Sequence, residues 1–149
     1  MNLFKPKGRL KEVTTPITNT EFGGLRLILC PFNLAGKVDG TVYADLDKKW
    51  KRNKEELKGW AANQTTFRLG NINTVAVQSD TWIVQMLCFD KEQKLDERAL
   101  DSCLKSIIKM AKAETGSSVH LSKALLDFFP SLDWHQQVLA EGVNVVLYG

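Results

Sequence analysis

The chain has 149 residues, of which 44% are hydrophobic, 20 are lysine or arginine and 17 are aspartate or glutamate. This length suits one well-buried core and is short for two, so we expect a single domain over residues 1–149, with disorder, if anywhere, in residues 1–9. A formal net charge of +3 is too small to require a nucleic-acid or membrane partner.

The first residues lack the apolar core of a signal peptide, and no later stretch approaches the ~18 apolar residues of a membrane span. Cys30, Cys88 and Cys103 are odd in number, widely separated and surrounded by apolar residues. Such cysteines are typical of reduced core positions and not of metal ligands. We therefore expect a cytoplasmic protein with no metal site and no cofactor.

Of two apolar segments near the start, only the second predicts a strand. Leu10 to Val13 shows just a short apolar alternation, whereas residues 25–30 form an apolar run between Gly24 and Pro31. A short apolar run with such boundaries is typical of a strand inside a sheet.

A loop with Gly36 and Gly40 follows the second of these segments, and then Val42, Leu46 and Trp50 recur at spacings of four. This spacing predicts one helix. The first backbone N–H groups of a helix are unpaired and lie at the positive end of its dipole, so they attract phosphate. The many lysines of this helix alternate with acidic residues, which is typical of a solvated surface.

Residues 66–69 and 72–77 alternate in polarity, Ser79 and Asp80 form a turn, and residues 82–89 are almost continuously apolar. The pattern predicts two adjacent antiparallel strands, the second of them buried on both faces.

The clearest predicted helix follows. Apolar residues recur on one face at three- and four-residue spacing, Asp96 is placed to cap the first turn, and Gly116 is placed to end the helix.

The remaining residues predict a strand at 118–121, an eleven-residue loop from Ser122 to Leu132, a short helix from a capping box at Asp133 to Gly142, and a final buried strand at 143–148. The C-terminal half therefore runs strand, strand, long helix, strand, short helix, strand. His120 in a strand and His135 in a helix have no catalytic or metal-binding neighbours in the sequence, so we interpret both as structural.

Strand, loop and helix occur in that order at residues 25–42 and again at 118–140. Ligands of open α/β sheets bind beyond the carboxyl ends of the strands. We therefore expect the two loops to face one crevice and any site to lie there.

The order of elements and the sequence Leu132-Asp133-Trp134 at a helix start resemble a macro domain, the ADP-ribose-binding module. The similarity is best with the branch that contains ADP-ribosyl-DNA and ADP-ribosyl-glutamate hydrolases. Asn33 and Gly36 are similar to the Asn and first Gly of that branch's first loop. The resemblance implies a three-layer α/β/α sandwich with a mixed central sheet.

The second loop departs from the resemblance, because residues 125–131 contain no glycine where the family has a run of them. Glycine lets backbone amides approach phosphate oxygens closely. This loop therefore binds phosphate differently from the family or not at all, as the bulky side chains of Phe128 and Phe129 and the negative charge of Asp127 indicate.

The resemblance implies binding of ADP-ribose or a related adenine nucleotide. The candidate ligand-binding residues are Asn33, Leu34, Gly36, Asp39, Gly40, Lys123, Phe128 and Ser131.

Two alternatives stay open, and with them the question of whether the chain is an enzyme. One is an ADP-ribosyl hydrolase acting on a modified macromolecule, with Lys48 or Lys49 as nucleophile and Asp127 as acid or base. The other is a non-enzymatic interaction module in which Phe128 and Phe129 fill the cleft or bind a protein partner. A membrane or nucleic-acid partner is not expected.

Overall fold

The computed structural model describes residues 7–18, 23–35, 41–63, 65–126 and 134–149, with backbone alone for 41–43. The strands are β1 Leu10–Val13, β2 Arg26–Asn33, β3 Ile72–Gln78, β4 Thr81–Phe89, β5 Ser118–Ser122 and β6 Asn144–Tyr148. They form one sheet in the order β1-β6-β5-β2-β4-β3, in which every neighbouring pair is parallel except β3 with β4. The predicted mixed α/β sheet is therefore confirmed.

The helices are α1 Thr41–Lys49, α2 Lys51–Ala61, α3 Glu97–Ala113, α4 Lys123–Leu126 and α5 Trp134–Ala140. None of the described helices has the length and apolar content needed to cross a bilayer. Gly8 and Arg9, before β1, are hydrogen-bonded to Leu139 and Asn144, whereas residues 1–6 lie outside the description.

The helices cover both faces of the sheet. Adjacent side chains of a strand point to opposite faces. Asn73 bonds to Gln85 on the face where α2 packs, and the next residue, Thr74, contacts Met110 of α3. Helices α2 and α3 therefore lie on opposite faces, as the expected three-layer sandwich requires.

Helix α3 agrees with its sequence pattern. Asp96 accepts a hydrogen bond from the Ala99 amide at 2.9 Å, which satisfies one of the unpaired N–H groups of the first turn. Leu100, Cys103 and Ile107 are all buried against the sheet.

The expected single helix through Trp50 is instead two helices, because Trp50 has non-helical dihedral angles, φ −127° and ψ 87°. Side chains on the two sides of this break are hydrogen-bonded to each other. Asn53 of α2 donates from Nδ2 to Oδ1 of Asp47 of α1 at 2.9 Å, so the corner is fixed by side chains that flank it.

Two further expectations change. Strand β3 begins only at Ile72, and residues 66–69 are irregular, with turns at Thr66 and Leu69. Where an eleven-residue loop was expected to follow β5, the chain instead enters a helix at once, because Lys123 to Leu126 form α4. Hydrogen bonding of the Ala124 amide to Ser122 Oγ, at 3.3 Å, helps to start this turn.

All three cysteines are free thiols and buried, as expected. Burial raises the pKa of Cys30 and Cys88 well above that of an ordinary thiol and raises that of Cys103 to about 12. These thiols are therefore small apolar groups at neutral pH and not nucleophiles.

Candidate functional site

The carboxyl ends of two neighbouring parallel strands define the candidate site. β2 lies beside β5, and the two strands end at Asn33 and Ser122, respectively. Both strands therefore end at the same edge of the sheet. This edge is the usual ligand-binding position in open α/β sheets. The expectation that the two loops face one crevice stays a prediction, because residues 36–40 and 127–133 lie outside the described residues.

Asn33 is buried and shapes the first loop. Its Oδ1 accepts a hydrogen bond from the Ala35 amide at 2.9 Å, which is the Asx-turn that asparagine often forms after a strand. The Leu34 amide donates to the Phe89 carbonyl at 3.1 Å, so the end of β2 is tied to the end of β4. The chain therefore leaves β2 in a fixed direction.

Leu34 is half-buried and packs against a second hydrophobic cluster that includes Phe32, Leu57 and Trp60. The ring of Phe32 meets the ring of Trp60 edge to face, with centroids 5.5 Å apart. Leu34 thus contributes to the packing between β2 and α2, while its role in ligand binding stays a prediction.

Lys123 does not lie with Asn33. Its Nζ is 3.2 Å from Glu12 Oε1 on β1, and both side chains are about half exposed. Strand β1 is two positions from β5 on the side away from β2, and adjacent strands are ~4.8 Å apart. The ammonium of Lys123 is therefore directed away from the first loop.

Lys48 and Lys49 are in the last turn of α1, and both are exposed. They follow Thr41, the first residue of α1, by seven and eight residues, which corresponds to ~10 Å or more along a helix. Lys49 Nζ donates to the Thr18 carbonyl at 2.5 Å. Neither amine has the apolar surroundings that activate a lysine nucleophile.

The other predicted site residues lie outside the described residues. They are Gly36, Asp39, Gly40, Asp127, Phe128 and Ser131. The same holds for Phe129 and for Asp133 of the predicted capping box.

A buried polar cluster on the sheet was not predicted. His120 lies between two hydroxyl groups, with Nε2 2.6 Å from Ser118 Oγ and Nδ1 2.6 Å from the Tyr148 hydroxyl. Arg26, which is fully buried, lies beside Tyr148, and its Nη2 donates to the Ile17 carbonyl at 2.6 Å. One signal in the sequence could have indicated this buried polar cluster, namely an arginine within an apolar strand segment.

This cluster is not suited to acid–base catalysis. Burial and, second, the charge of Arg26 lower the pKa of His120 to about 3. A base this weak does not remove a proton from Ser118 at neutral pH. Among the described residues, no group of three or more His, Cys, Asp or Glu side chains could hold a metal ion.

Comparisons with known proteins identify the fold. No family model and no curated protein matches the sequence. A protein from Bacteroides thetaiotaomicron is 20% identical with a TM-score of 0.79, and the match covers 95% of this chain and 100% of that one. A macrodomain protein from Streptomyces coelicolor is 19% identical with a TM-score of 0.78, over 95% of this chain and 99% of that one.

A third structure is that of Thermosipho africanus DarTG in complex with ADP-ribose. It is 13% identical with a TM-score of 0.64, and the match covers 93% of this chain and 41% of that one. The strand order, the helices on both faces and these similarities agree with the resemblance found in the sequence. The chain has the macrodomain fold.

Proposed function

We propose that the chain binds ADP-ribose or a related adenine nucleotide at the carboxyl edge of β2 and β5. The observation that carries the proposal is the junction after β2. There Asn33 closes an Asx-turn onto Ala35, and α1 begins at Thr41. The first amides of an α-helix have no partner within the helix, so the start of α1 suits the diphosphate of such a ligand.

The fold supports the same ligand, because one of the structures that share it holds ADP-ribose. In the proposal, Asn33 orients the first loop, and Gly36, Asp39 and Gly40 contact the ligand with Leu34 beside them. Phe128 and Ser131 approach from the second loop. Lys123, which is paired with Glu12, contributes positive charge only if that ion pair opens.

Isothermal titration calorimetry with ADP-ribose tests the proposal. Asn33→Asp keeps an oxygen acceptor for the Ala35 amide but adds a negative charge near the expected diphosphate, so we expect at least about tenfold weaker binding, or ~1.4 kcal/mol. Asn63→Asp is the matched control. Asn63 also forms an Asx-turn, onto Thr65, in the loop after α2.

We expect the Asn63 variant to bind like the unmodified protein. An absence of heat with ADP-ribose up to about 1 mM, where binding is worth only ~4 kcal/mol, contradicts the proposed function. Equal weakening by both substitutions contradicts the role given to Asn33.

The hydrolase alternative stays a prediction, and the exposed positions of Lys48 and Lys49 give it no support. The alternative of a filled cleft or a protein partner depends on Phe128 and Phe129, which lie outside the described residues. The same titration separates this alternative from the proposal, because a filled cleft does not accept ADP-ribose.

A further inference from the structure

Two consecutive backbone carbonyls after β1 are each held by a cationic side chain. The Ile17 carbonyl accepts from Arg26 Nη2 at 2.6 Å, and the Thr18 carbonyl accepts from Lys49 Nζ at 2.5 Å. The cations come from different elements, β2 and α1, respectively. We call residues 14–18, which these contacts hold, the strap.

The two contacts differ in burial. Arg26 is fully buried and the Ile17 side chain is only 6% exposed, so this contact belongs to the core. Lys49 is exposed and lies beside Trp50, with Nζ 5.0 Å from the ring centroid. A charged hydrogen bond and a cation–π contact at an exposed position are each modest, so the Lys49 contact can open without unfolding the core.

The strap starts at the carboxyl edge of the sheet but does not stay there, because its Ile17 carbonyl contacts Arg26, the first residue of β2 at the opposite edge. The strap follows directly from β1, whose last residue, Val13, accepts a hydrogen bond from the Gly149 amide at the carboxyl edge. Helix α1 follows β2 after the first loop. The Lys49 contact therefore holds the last turn of α1, which is the end remote from the first loop, to the strap. Because the hydrogen-bonded helix is a rigid element, the contact also restrains the direction of α1 and of the amides at its start.

We propose that Lys49 is a positioning residue for the nucleotide site, which holds α1 to the strap through the Thr18 carbonyl. This inference rests on the proposed function and replaces the role of nucleophile considered for Lys49. Both contacts of the side chain use Nζ, so the atom that would attack a substrate is instead engaged with the Thr18 carbonyl and the Trp50 ring.

Three variants test the inference: Lys49→Met, Lys49→Arg and, as a control, Lys54→Met on the exposed surface of α2. Methionine keeps the length of the side chain but cannot donate to Thr18, so we expect binding of ADP-ribose to weaken about tenfold. Arginine retains charge and donors, so its binding should stay within about threefold of the unmodified protein. The Lys54 variant should bind normally.

Hydrogen–deuterium exchange over residues 14–18 and the last turn of α1 is the second readout. We expect faster exchange there in Lys49→Met and not in Lys49→Arg. Two results overturn the inference: an arginine variant that binds as weakly as the methionine variant, or a methionine variant with unchanged exchange. If the unmodified protein does not bind ADP-ribose, the proposed function fails, and the exchange comparison still decides whether Lys49 holds the strap to α1.

Discussion

Gln85 of β4 and Asn53 of α2 are joined by two hydrogen bonds across the boundary between sheet and helix. Nε2 of Gln85 lies 2.8 Å from the backbone oxygen of Asn53 and 2.9 Å from its Oδ1. Gln85 Oε1 in turn accepts from Asn73 Nδ2 at 3.0 Å. Both Gln85 and Asn53 are almost fully buried. Buried amides with every partner in place specify one arrangement of the elements that carry them.

We expect Gln85→Leu to destabilise the protein by about 2–4 kcal/mol, because a leucine of similar size leaves polar groups of Asn53 and Asn73 unsatisfied in the core. Gln78→Leu on the exposed end of β3 is the control and should change stability by less than about 0.5 kcal/mol. Urea denaturation measures both. A Gln85 variant within about 0.5 kcal/mol of the unmodified protein would show that the network does not stabilise the corner between α1 and α2.

Stability should fall in mild acid because of His120. Its pKa is about 3 in the folded protein against 6.5 for an ordinary histidine. Between these values the unfolded chain binds a proton that the folded chain does not, so the contribution of His120 is complete above pH ~6.5 and decreases as the pH falls toward 3. At pH 5 the loss is about 2 kcal/mol.

Urea denaturation at pH 7 and pH 5 measures this loss. Acidic residues add their own pH dependence, so the comparison is with His120→Gln, in which the loss between the two pH values should be smaller by about 2 kcal/mol. The same substitution at His135 on α5 controls for the change of residue. Equal losses in the His120 variant and the unmodified protein would rule out His120 as the source.

Gly24 and Gly59 should respond in opposite ways to alanine. Gly24 has φ +81°, and a Cβ there would lie 2.3 Å from the Gly116 carbonyl oxygen, which is backbone and cannot rotate away. We expect Gly24→Ala to cost about 2 kcal/mol or more. Gly59 is inside α2 with nothing within 4 Å of its added Cβ, so alanine should stabilise the protein by about 0.5–1 kcal/mol.

Thermal denaturation of these two variants shows directly whether each substitution raises or lowers the stability of the protein. A Gly24 variant as stable as the unmodified protein would mean that the turn before β2 can move away from Gly116. A destabilised Gly59 variant would contradict the open surroundings of α2 at that position.

The three thiols should resist modification until the protein unfolds. All are buried, and burial raises the pKa of each, so little thiolate is present at pH 8. We expect no rapid reaction with an aromatic disulfide reagent in buffer and reaction of all three thiols in urea. Fast stoichiometric labelling of the folded protein, located by mass spectrometry, would identify a thiol that is more accessible than its burial indicates.

The helices and strands that were predicted best are those whose sequence signals lie within one continuous segment. The apolar spacing of α3 and the carboxylate of Asp96 lie within one continuous segment, and the structure retains both. The apolar run of β4 likewise predicted a strand covered on both faces. The helix after β2 could also be predicted, because Val42, Leu46 and Trp50 recur at helical spacing within one segment. Pro31 was expected to end the strand, but β2 continues through it to Asn33.

Only the tertiary structure decided which polar groups meet. The corner at Trp50 depends on a contact between Asp47 and Asn53, with Gln85 supporting it from a strand 32 residues away. The pairing of Lys123 with Glu12 joins residues far apart in sequence and turns the lysine away from Asn33. No periodicity encodes such partners, because they are selected by the order of strands in the sheet.

The C-terminal half shows the same difference between what the sequence predicts and what only the tertiary structure decides. Its succession of strands and helices and the apolar character of its core follow from the sequence alone, because hydrophobic spacing and end signals act over a few residues. The burial of Arg26 beside His120 and Tyr148 was decided by folding, because it brings together side chains from three strands in surroundings that exclude water. The contact of Lys49 with the strap was also decided by folding, because it joins residues 31 positions apart in the sequence.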